Sequence, residues 1–186
     1  MASPLGRDSV SQVKLWVAAQ AGDDEALTGL LLPHAQTLRY VCLGMLRNAE
    51  DTEDAVQETY FRAIKGFSTF RGEAQLKTWL VRIAVRVCAE RIRSRRDELP
   101  LDMAMHASTP SPESNALRRA LLDEALSLLP PGRRVAVLLL AEGWSQREIG
   151  DAQGWSVARV KVELYRARRT LDAWAQRQNW QGDELV

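Results

Sequence analysis

Apolar residues recur along this chain every three or four positions, the spacing that places them on one face of an α-helix. The clearest case is the segment 79–96, where one face would hold Leu80, Ile83, Ala84, Val87 and Ile92. Nothing in the pattern alternates strictly between apolar and polar residues, as half-buried strands do. The sequence therefore predicts an all-α protein.

Polar breaks and capping residues divide the first half of the chain into four predicted helices. A kink is expected at Pro33, which falls inside an apolar pattern. The predicted bounds are 9–21, 23–46, 51–67 with Asp51 or Thr52 as the cap, and 79–96 with Thr78 as the cap.

The stretch 97–113 contains three prolines and three serines or threonines and has no apolar periodicity, which predicts a flexible linker. We therefore expect two small helical domains, residues 1–96 and 114–186, the second with a frayed C-terminal tail. An amphipathic helix should open the second domain, with these residues turned inward: Leu117, Leu121, Leu122, Ala125 and Leu128.

The second domain also carries a short helix, a glycine turn and a longer basic helix, which is the order of a DNA-binding helix-turn-helix. Ser145 and Glu148 form a capping box for the short helix, Gly154 suits the turn, and Ser156 caps the long helix. At 100° per residue the long helix has one narrow apolar stripe, formed by Val157, Val160, Leu164, Ala167 and Leu171.

The opposite face of the long helix combines cations, an aromatic ring and small apolar groups, which suit contacts with phosphates, base edges and thymine methyls. Glu163 lies on a flank, nearer phosphate than base. A structural hairpin with a solvated basic face is the alternative. The candidate DNA-binding residues are Ser156, Arg159, Lys161, Val162, Tyr165, Arg166 and Arg169.

Charge is distributed unevenly, although the chain of 186 residues has a net charge of only +1. Five acids lie between positions 50 and 58, six arginines between 82 and 96, and five bases between 156 and 171. Local basic segments of this kind are what polyanion binding requires.

The acidic segment places four residues on one helical face at positions i, i+3, i+4 and i+7. These residues are Asp54, Gln57, Glu58 and Phe61. Such a stripe could dock on a basic helical partner, and a solvated helix face fits the pattern equally well.

The next segment sets aromatic rings beside cations, as single-stranded DNA capture requires. Trp79 is equally compatible with a place in the core. The candidate residues are Phe70, Arg71, Lys77, Trp79, Arg82 and Arg86.

Two stretches resemble extracytoplasmic-function (group 4) sigma factors of the sigma-70 superfamily. Residues 51–87, beginning DTEDAVQETYFRAIKG, resemble their region 2, and residues 126–171, including WSQREIGDAQGWSVARVKVELYRARR, resemble their region 4. The likeness covers roughly 9–96 and 114–174, in the family order.

The resemblance implies a transcription-initiation factor that binds core RNA polymerase. Asp54, Gln57 and Glu58 stand where the family contacts the β′ clamp, with Phe61 on the same face. The loop and helix from Phe70 to Arg86 correspond to capture and reading of the −10 element. The Ser156 helix corresponds to the −35 reader, in a region expected at the β flap. An anti-sigma factor, often membrane-anchored in this family, is a further implied partner.

The chain departs from the family pattern at the hairpin, where Gly150, Gln153 and Trp155 replace Ala, an apolar residue and a small aliphatic one. These changes could loosen or reorient it. Arg159, Val162 and Glu163 replace Thr, Ser and Arg on the reading helix, so the family's −35 consensus does not transfer. Val162 suggests a thymine methyl contact.

A stand-alone DNA-binding regulator is the main competing hypothesis, and it predicts stable dimers and palindromic sites. An enzyme is less favoured, because the two histidines, His34 and His106, accompany no phosphate loop or metal-ligand cluster. We expect no catalytic residue, cofactor, metal or small-molecule substrate. Cys42 and Cys88 fit buried thiols in a reducing cytosol. With no signal peptide or apolar membrane span, we expect a soluble cytoplasmic protein, held at the inner membrane only through a partner.

Overall fold

A computed structural model describes residues 10–72, 74–98 and 114–178. Within these ranges the regular secondary structure is helical and includes no strand. The helices form two compact units, the first within residues 1–106 and the second within 107–186. The prediction of an all-α protein with two helical domains is confirmed. Positions 99–113 of the predicted linker, and the tail beyond 178, lie outside the described residues.

The first unit is a bundle in which α3, α4 and α5 pack together and α2 packs on α1. A 3-10 turn, Leu32–His34, separates α2 from α3 at Pro33, where the sequence predicts a kink. A second 3-10 turn, Phe67–Thr69, follows α4. The helices are α1 (Val10–Gln20), α2 (Asp24–Leu31), α3 (Ala35–Leu46), α4 (Ala49–Gly66) and α5 (Leu76–Glu98).

Helix α4 turns a stripe of small residues into the bundle, which lets the neighbouring helices approach closely. This stripe consists of Thr52, Ala55, Thr59 and Ala63, all buried. The two threonine hydroxyls keep partners inside the core: Thr52 donates to the carbonyl of Asn48 at 2.6 Å, and Thr59 to that of Ala55 at 2.7 Å. Buried hydroxyls with partners avoid a desolvation penalty of about 1–3 kcal/mol each.

Two predicted helix caps in this unit are wrong. Helix α4 is capped by Asn48, whose side-chain oxygen accepts from the amide of Asp51 at 2.9 Å. Asp51 therefore lies in the first turn, where its charge complements the helix dipole. Helix α5 begins at Leu76, so Thr78 lies inside the helix, and its side chain is buried.

The described part of the second unit contains four helices, and hydrogen bonds fix the junction between the first two. Arg134 is buried and donates through Nε to the carbonyl of Leu126 and through a terminal nitrogen to that of Leu129, each at 2.7 Å. These bonds satisfy one carbonyl in the last turn of α6 and one in the connection that follows, and they tie α6 to α7. The helices are α6 (Ser114–Ser127), α7 (Pro131–Ala141), α8 (Gln146–Gln153) and α9 (Val157–Arg177).

The inward face predicted for α6 is partly wrong. Leu122 and Leu128 are exposed, whereas Leu126 and Leu129 pack with Leu138. Leucines occur on two adjacent ridges of this segment, so the periodicity of α6 alone does not fix its rotation. Packing against α7 and α9 selects the ridge that contains Leu126 and Leu129.

Candidate nucleic-acid and partner interfaces

The polar stripe of α4 lies on the surface of the first unit. Asp54, Gln57 and Phe61 are exposed, and Glu58 is half-buried. The ammonium of Lys65 lies 4.0 Å from the centre of the Phe61 ring, a cation–π distance. The stripe therefore offers a partner two carboxylates, an amide and an aromatic ring.

The carboxylates of this stripe already contact arginines of their own unit. Asp54 lies 3.5 Å from Arg91 of α5, and Glu58 accepts from Arg62 at 2.7 Å. Arg62 also pairs with Glu90, and its hydrogen bonds to the two glutamates raise its pKa. Ion pairs this exposed contribute at most about 1 kcal/mol each, so a partner could replace them at small cost.

The arginines near the end of α5 were counted in the sequence only as part of a basic segment. In the structure Arg91 pairs with Asp54, and Arg95 pairs with Asp51. The sequence did contain a signal for these ion pairs. An acidic helix and a basic helix were predicted in the same bundle, where their charges could pair.

The aromatic residues of the candidate −10 segment pack in a cluster with Trp16 of α1. The rings of Phe70 and Trp79 are stacked 4.7 Å apart, and Trp16 meets Phe70 edge-on at 5.3 Å. Phe70 is only 7% exposed and Trp79 is half-buried. The rings thus pack together between α1 and α5. This packing agrees with the interpretation of Trp79 as a core residue.

The cations of this segment are more accessible than its rings. Arg71 and Arg86 are exposed, and Lys77 and Arg82 are half-buried. Burial, with a smaller contribution from the charge of Lys77, lowers the pKa of His34. His34 thus adds no positive charge to this segment near neutral pH, and the exposed cations of the segment are Arg71 and Arg86.

The predicted helix-turn-helix is present in the second unit. Ser145 and Glu148 form a reciprocal capping box, Gly154 has a φ of +69°, and Ser156 caps α9 by accepting from the amide of Arg159 at 3.2 Å. A β-carbon at Gly150 would lie 2.6 Å from the carbonyl oxygen of Trp155. The departure at Gly150 therefore permits a closer turn, not the looser one considered from the sequence.

Helix α9 exposes every predicted DNA-binding residue. Val162 and Tyr165, at the centre of this face, are 46% and 62% exposed. Arg169 donates to the Tyr165 hydroxyl at 3.5 Å, and Arg166 to Glu163 at 3.3 Å. Cations, a phenol and an apolar group are thus presented side by side to solvent.

Two residues of α9 depart from their predicted surroundings. Val157, expected in the apolar stripe, is exposed in the first turn of α9. Glu163, expected near phosphate, points toward α7, where it accepts from Nε of Arg133 at 2.8 Å. Glu163 thus joins α9, the reading helix, to α7.

Trp155 was not among the predicted DNA-binding residues of this unit. Its ring lies 4.6 Å from the guanidinium carbon of Arg159, within cation–π distance. The unusual tryptophan at the turn was the available signal, but the sequence does not indicate where its ring packs.

Other chemistry is sparse in the described part of the chain. No group of His, Cys, Asp and Glu there has the arrangement of a metal site. None of its helices is both long and apolar enough to span a bilayer.

Two family models match this chain. The model for sigma-70 region 2 matches residues 30–98, and that for sigma-70 region 4 matches residues 119–171. The first match includes α3 to α5, and the second includes α7, α8 and the reading face of α9.

Curated relatives of this chain are RNA polymerase sigma factors. The ECF RNA polymerase sigma factor SigG of Mycobacterium tuberculosis is 32% identical over 75% of this chain and 46% of its own length, so the chain spans about half of that relative. SigM of the same organism is 31% identical over 89% of this chain and 85% of its own.

A solved structure has the same fold. The sigma factor RpoE in complex with the anti-sigma factor NepR, from Bartonella quintana, superposes with a TM-score of 0.65. The match is 23% identical and covers 81% of this chain and 96% of that one.

Proposed function

The chain belongs to the extracytoplasmic-function group of the sigma-70 family, and we propose that it binds core RNA polymerase and directs it to two-part promoters. The observation that carries this proposal is the presence of both working surfaces in one chain, in family order. A polar stripe lies on α4 of the region 2 bundle, and an exposed reading face lies on α9 of region 4.

Polymerase binding is assigned to the α4 stripe of Asp54, Gln57, Glu58 and Phe61. Its two carboxylates and amide suit a basic partner, and Phe61, 53% exposed, supplies an apolar contact. The β′ clamp is the expected partner of this stripe, and the β flap that of region 4.

Promoter opening is assigned to the start of α5 and the loop before it. Arg71, Lys77, Arg82 and Arg86 would hold the phosphates of the −10 strand. Phe70 and Trp79 are packed together, so their proposed contribution is to support this loop. Contacts to the separated strand would offset the few kcal/mol needed to unstack its bases.

Reading of the −35 element is assigned to α9 in the major groove. Arg159 and Val162 would face base edges, while Lys161, Arg166 and Arg169 would contact phosphates or nearby bases, with Ser156 and Tyr165 completing the surface. The chain itself has no catalytic role in this proposal, since the polymerase makes RNA and the factor selects where it starts.

Control by an anti-sigma factor is the proposed regulation. The RpoE–NepR complex supports it, because that sigma factor has the same fold. The chain would act in the cytoplasm, and any attachment to the inner membrane would pass through this partner.

The proposal is tested by reconstituting the full chain with bacterial core polymerase and selecting bound sequences from randomised duplex DNA. Run-off transcription from the selected sequences, with core polymerase alone as the control, then measures initiation. We expect two separated motifs and transcripts that depend on the chain. Palindromic motifs bound without polymerase would instead support a stand-alone regulator.

A further inference from the structure

The turn of the helix-turn-helix holds Trp155 in a fixed place. Its backbone amide donates to the carbonyl of Gly150 at 2.8 Å, and its carbonyl oxygen would lie 2.6 Å from a β-carbon at Gly150. The backbone of Trp155 is therefore seated directly against α8.

The indole ring is confined as well. A β-carbon at Gly132 of α7 would lie 3.0 Å and 3.2 Å from two carbons of the six-membered ring. Gly132 is near the start of α7, so one edge of the ring lies against a separate helix. Contact of the ring with α7, and of the Trp155 backbone with α8, together place the ring beside the first turn of α9.

Arg159 lies over the ring that is confined in this way, 4.6 Å from its centre. In the described part of the chain no carboxylate forms an ion pair with Arg159, whereas Arg166 on the same helix pairs with Glu163. The cation–π contact uses no carboxylate or other hydrogen-bond acceptor, so the in-plane N–H donors of the guanidinium remain available to a further partner.

The position of Arg159 along α9 suits base reading. Ser156 is the cap, so Arg159 is the third residue of the helix, and the first residues of a recognition helix meet base edges in the major groove. An arginine that presents two in-plane donors is the usual partner of the guanine O6 and N7 atoms.

We propose that Trp155 is a positioning residue that holds Arg159 ready to bind a guanine in the −35 element. This inference rests on the proposed function. Preorganisation of this kind favours binding, because less side-chain entropy is lost when Arg159 forms its hydrogen bonds. Adenine benefits less than guanine, because it offers N7 but has an amino group in place of the O6 acceptor.

Selection with the reconstituted full chain and polymerase provides the test. Wild type should enrich a guanine at one −35 position, and duplexes with that guanine replaced by adenine give the discrimination ratio. Trp155→Leu keeps an apolar contact with Gly132 but removes the aromatic face. We expect the ratio to fall about two- to fivefold, the value of an exposed cation–π contact, while Trp155→Phe retains most of it.

A second variant acts on the ring from α7 and substitutes no residue of the turn or of the reading helix. Gly132→Ala adds a β-carbon against the indole, in a helix that favours alanine. The indole must shift by a few tenths of an ångström to admit this atom, so we expect a smaller fall in discrimination than for Trp155→Leu. The thermal melting temperature of the chain should stay within a few degrees of wild type.

The double variant Trp155→Leu/Arg159→Ala separates positioning from simple stability. With Arg159 absent, Trp155→Leu should change the discrimination ratio no further. An equal loss in both backgrounds, or an unchanged ratio in Trp155→Leu, would overturn the inference while leaving the proposed function intact. Failure of wild type to select a −35 motif would instead count against the proposed function.

Discussion

Glu163 of α9 accepts a 2.8 Å hydrogen bond from Nε of Arg133 of α7, and both side chains are less than one-fifth exposed. This ion pair joins α9, the reading helix, to α7. Removing one partner of such a pair leaves the other charge poorly solvated. The resulting loss of stability therefore exceeds the Coulomb energy of the pair.

We expect Glu163→Gln to lower the free energy of unfolding by about 1–3 kcal/mol, measured by urea denaturation. Asp172→Asn is the matched control, because it breaks the exposed pair with Arg168 on the same helix, which spans 3.7 Å. That control should cost less than about 0.5 kcal/mol. Equal effects of the two substitutions would show that the pair with Arg133 contributes no more to stability than an exposed ion pair does.

The close turn at Gly150 should not accept the alanine that the family pattern has there. The added β-carbon would lie 2.6 Å from the Trp155 carbonyl oxygen, so Gly150→Ala should cost about 1–3 kcal/mol through displaced backbone. In contrast, Gly29→Ala on α2 would meet only Leu15, at 3.8 Å, and should be neutral or stabilising by up to about 1 kcal/mol. Thermal denaturation compares them; a Gly150→Ala protein as stable as wild type would refute the steric argument.

Stability should depend on pH through His34. Burial, and then the nearby charge of Lys77, lowers its pKa from the ordinary 6.5, so below about pH 6.5 the unfolded chain binds this proton more readily. The free energy of unfolding should therefore fall as pH drops below 6.5 and level off below the folded-state pKa. We expect His34→Gln to have a flatter profile between pH 7 and 5; parallel profiles would contradict the assignment to His34.

The thiols of Cys42 and Cys88 should be unreactive in the folded protein. Both are fully buried, and a hydrogen bond to Cys88, together with burial, raises the pKa of Cys42. Alkylation with iodoacetamide should therefore be slow and should accelerate with unfolding in urea. Rapid labelling of both thiols under native conditions would show that α3 and α5 separate readily.

The sequence predicted best those features that are set by a few neighbouring residues. The capping box of Ser145 and Glu148, the turn at Gly154 and the cap at Ser156 are all present. Each of these features depends on local backbone geometry and on side chains within three positions. A short stretch of sequence is therefore enough to predict it.

Features that depend on packing were predicted less well. Asn48 and Asp51 are both good caps, and in the folded chain Asn48 has the extended backbone of a cap while Asp51 already lies inside α4. Likewise, Leu126 and not Leu122 faces inward because α7 and α9 set the rotation of α6. The contact of Trp155 with Gly132 joins residues on separate helices, which helical periodicity cannot reveal.

The most direct test of the central claim is the affinity of the full chain for core RNA polymerase. The variant Asp54→Ala/Gln57→Ala/Glu58→Ala removes the polar stripe, and Arg91→Gln breaks the Asp54 ion pair without removing a proposed contact. We expect wild type and Arg91→Gln to bind similarly and the triple variant to lose at least about tenfold in affinity. Unchanged binding by the triple variant, or an equal loss in Arg91→Gln, would contradict the assignment of α4 as the polymerase-binding surface.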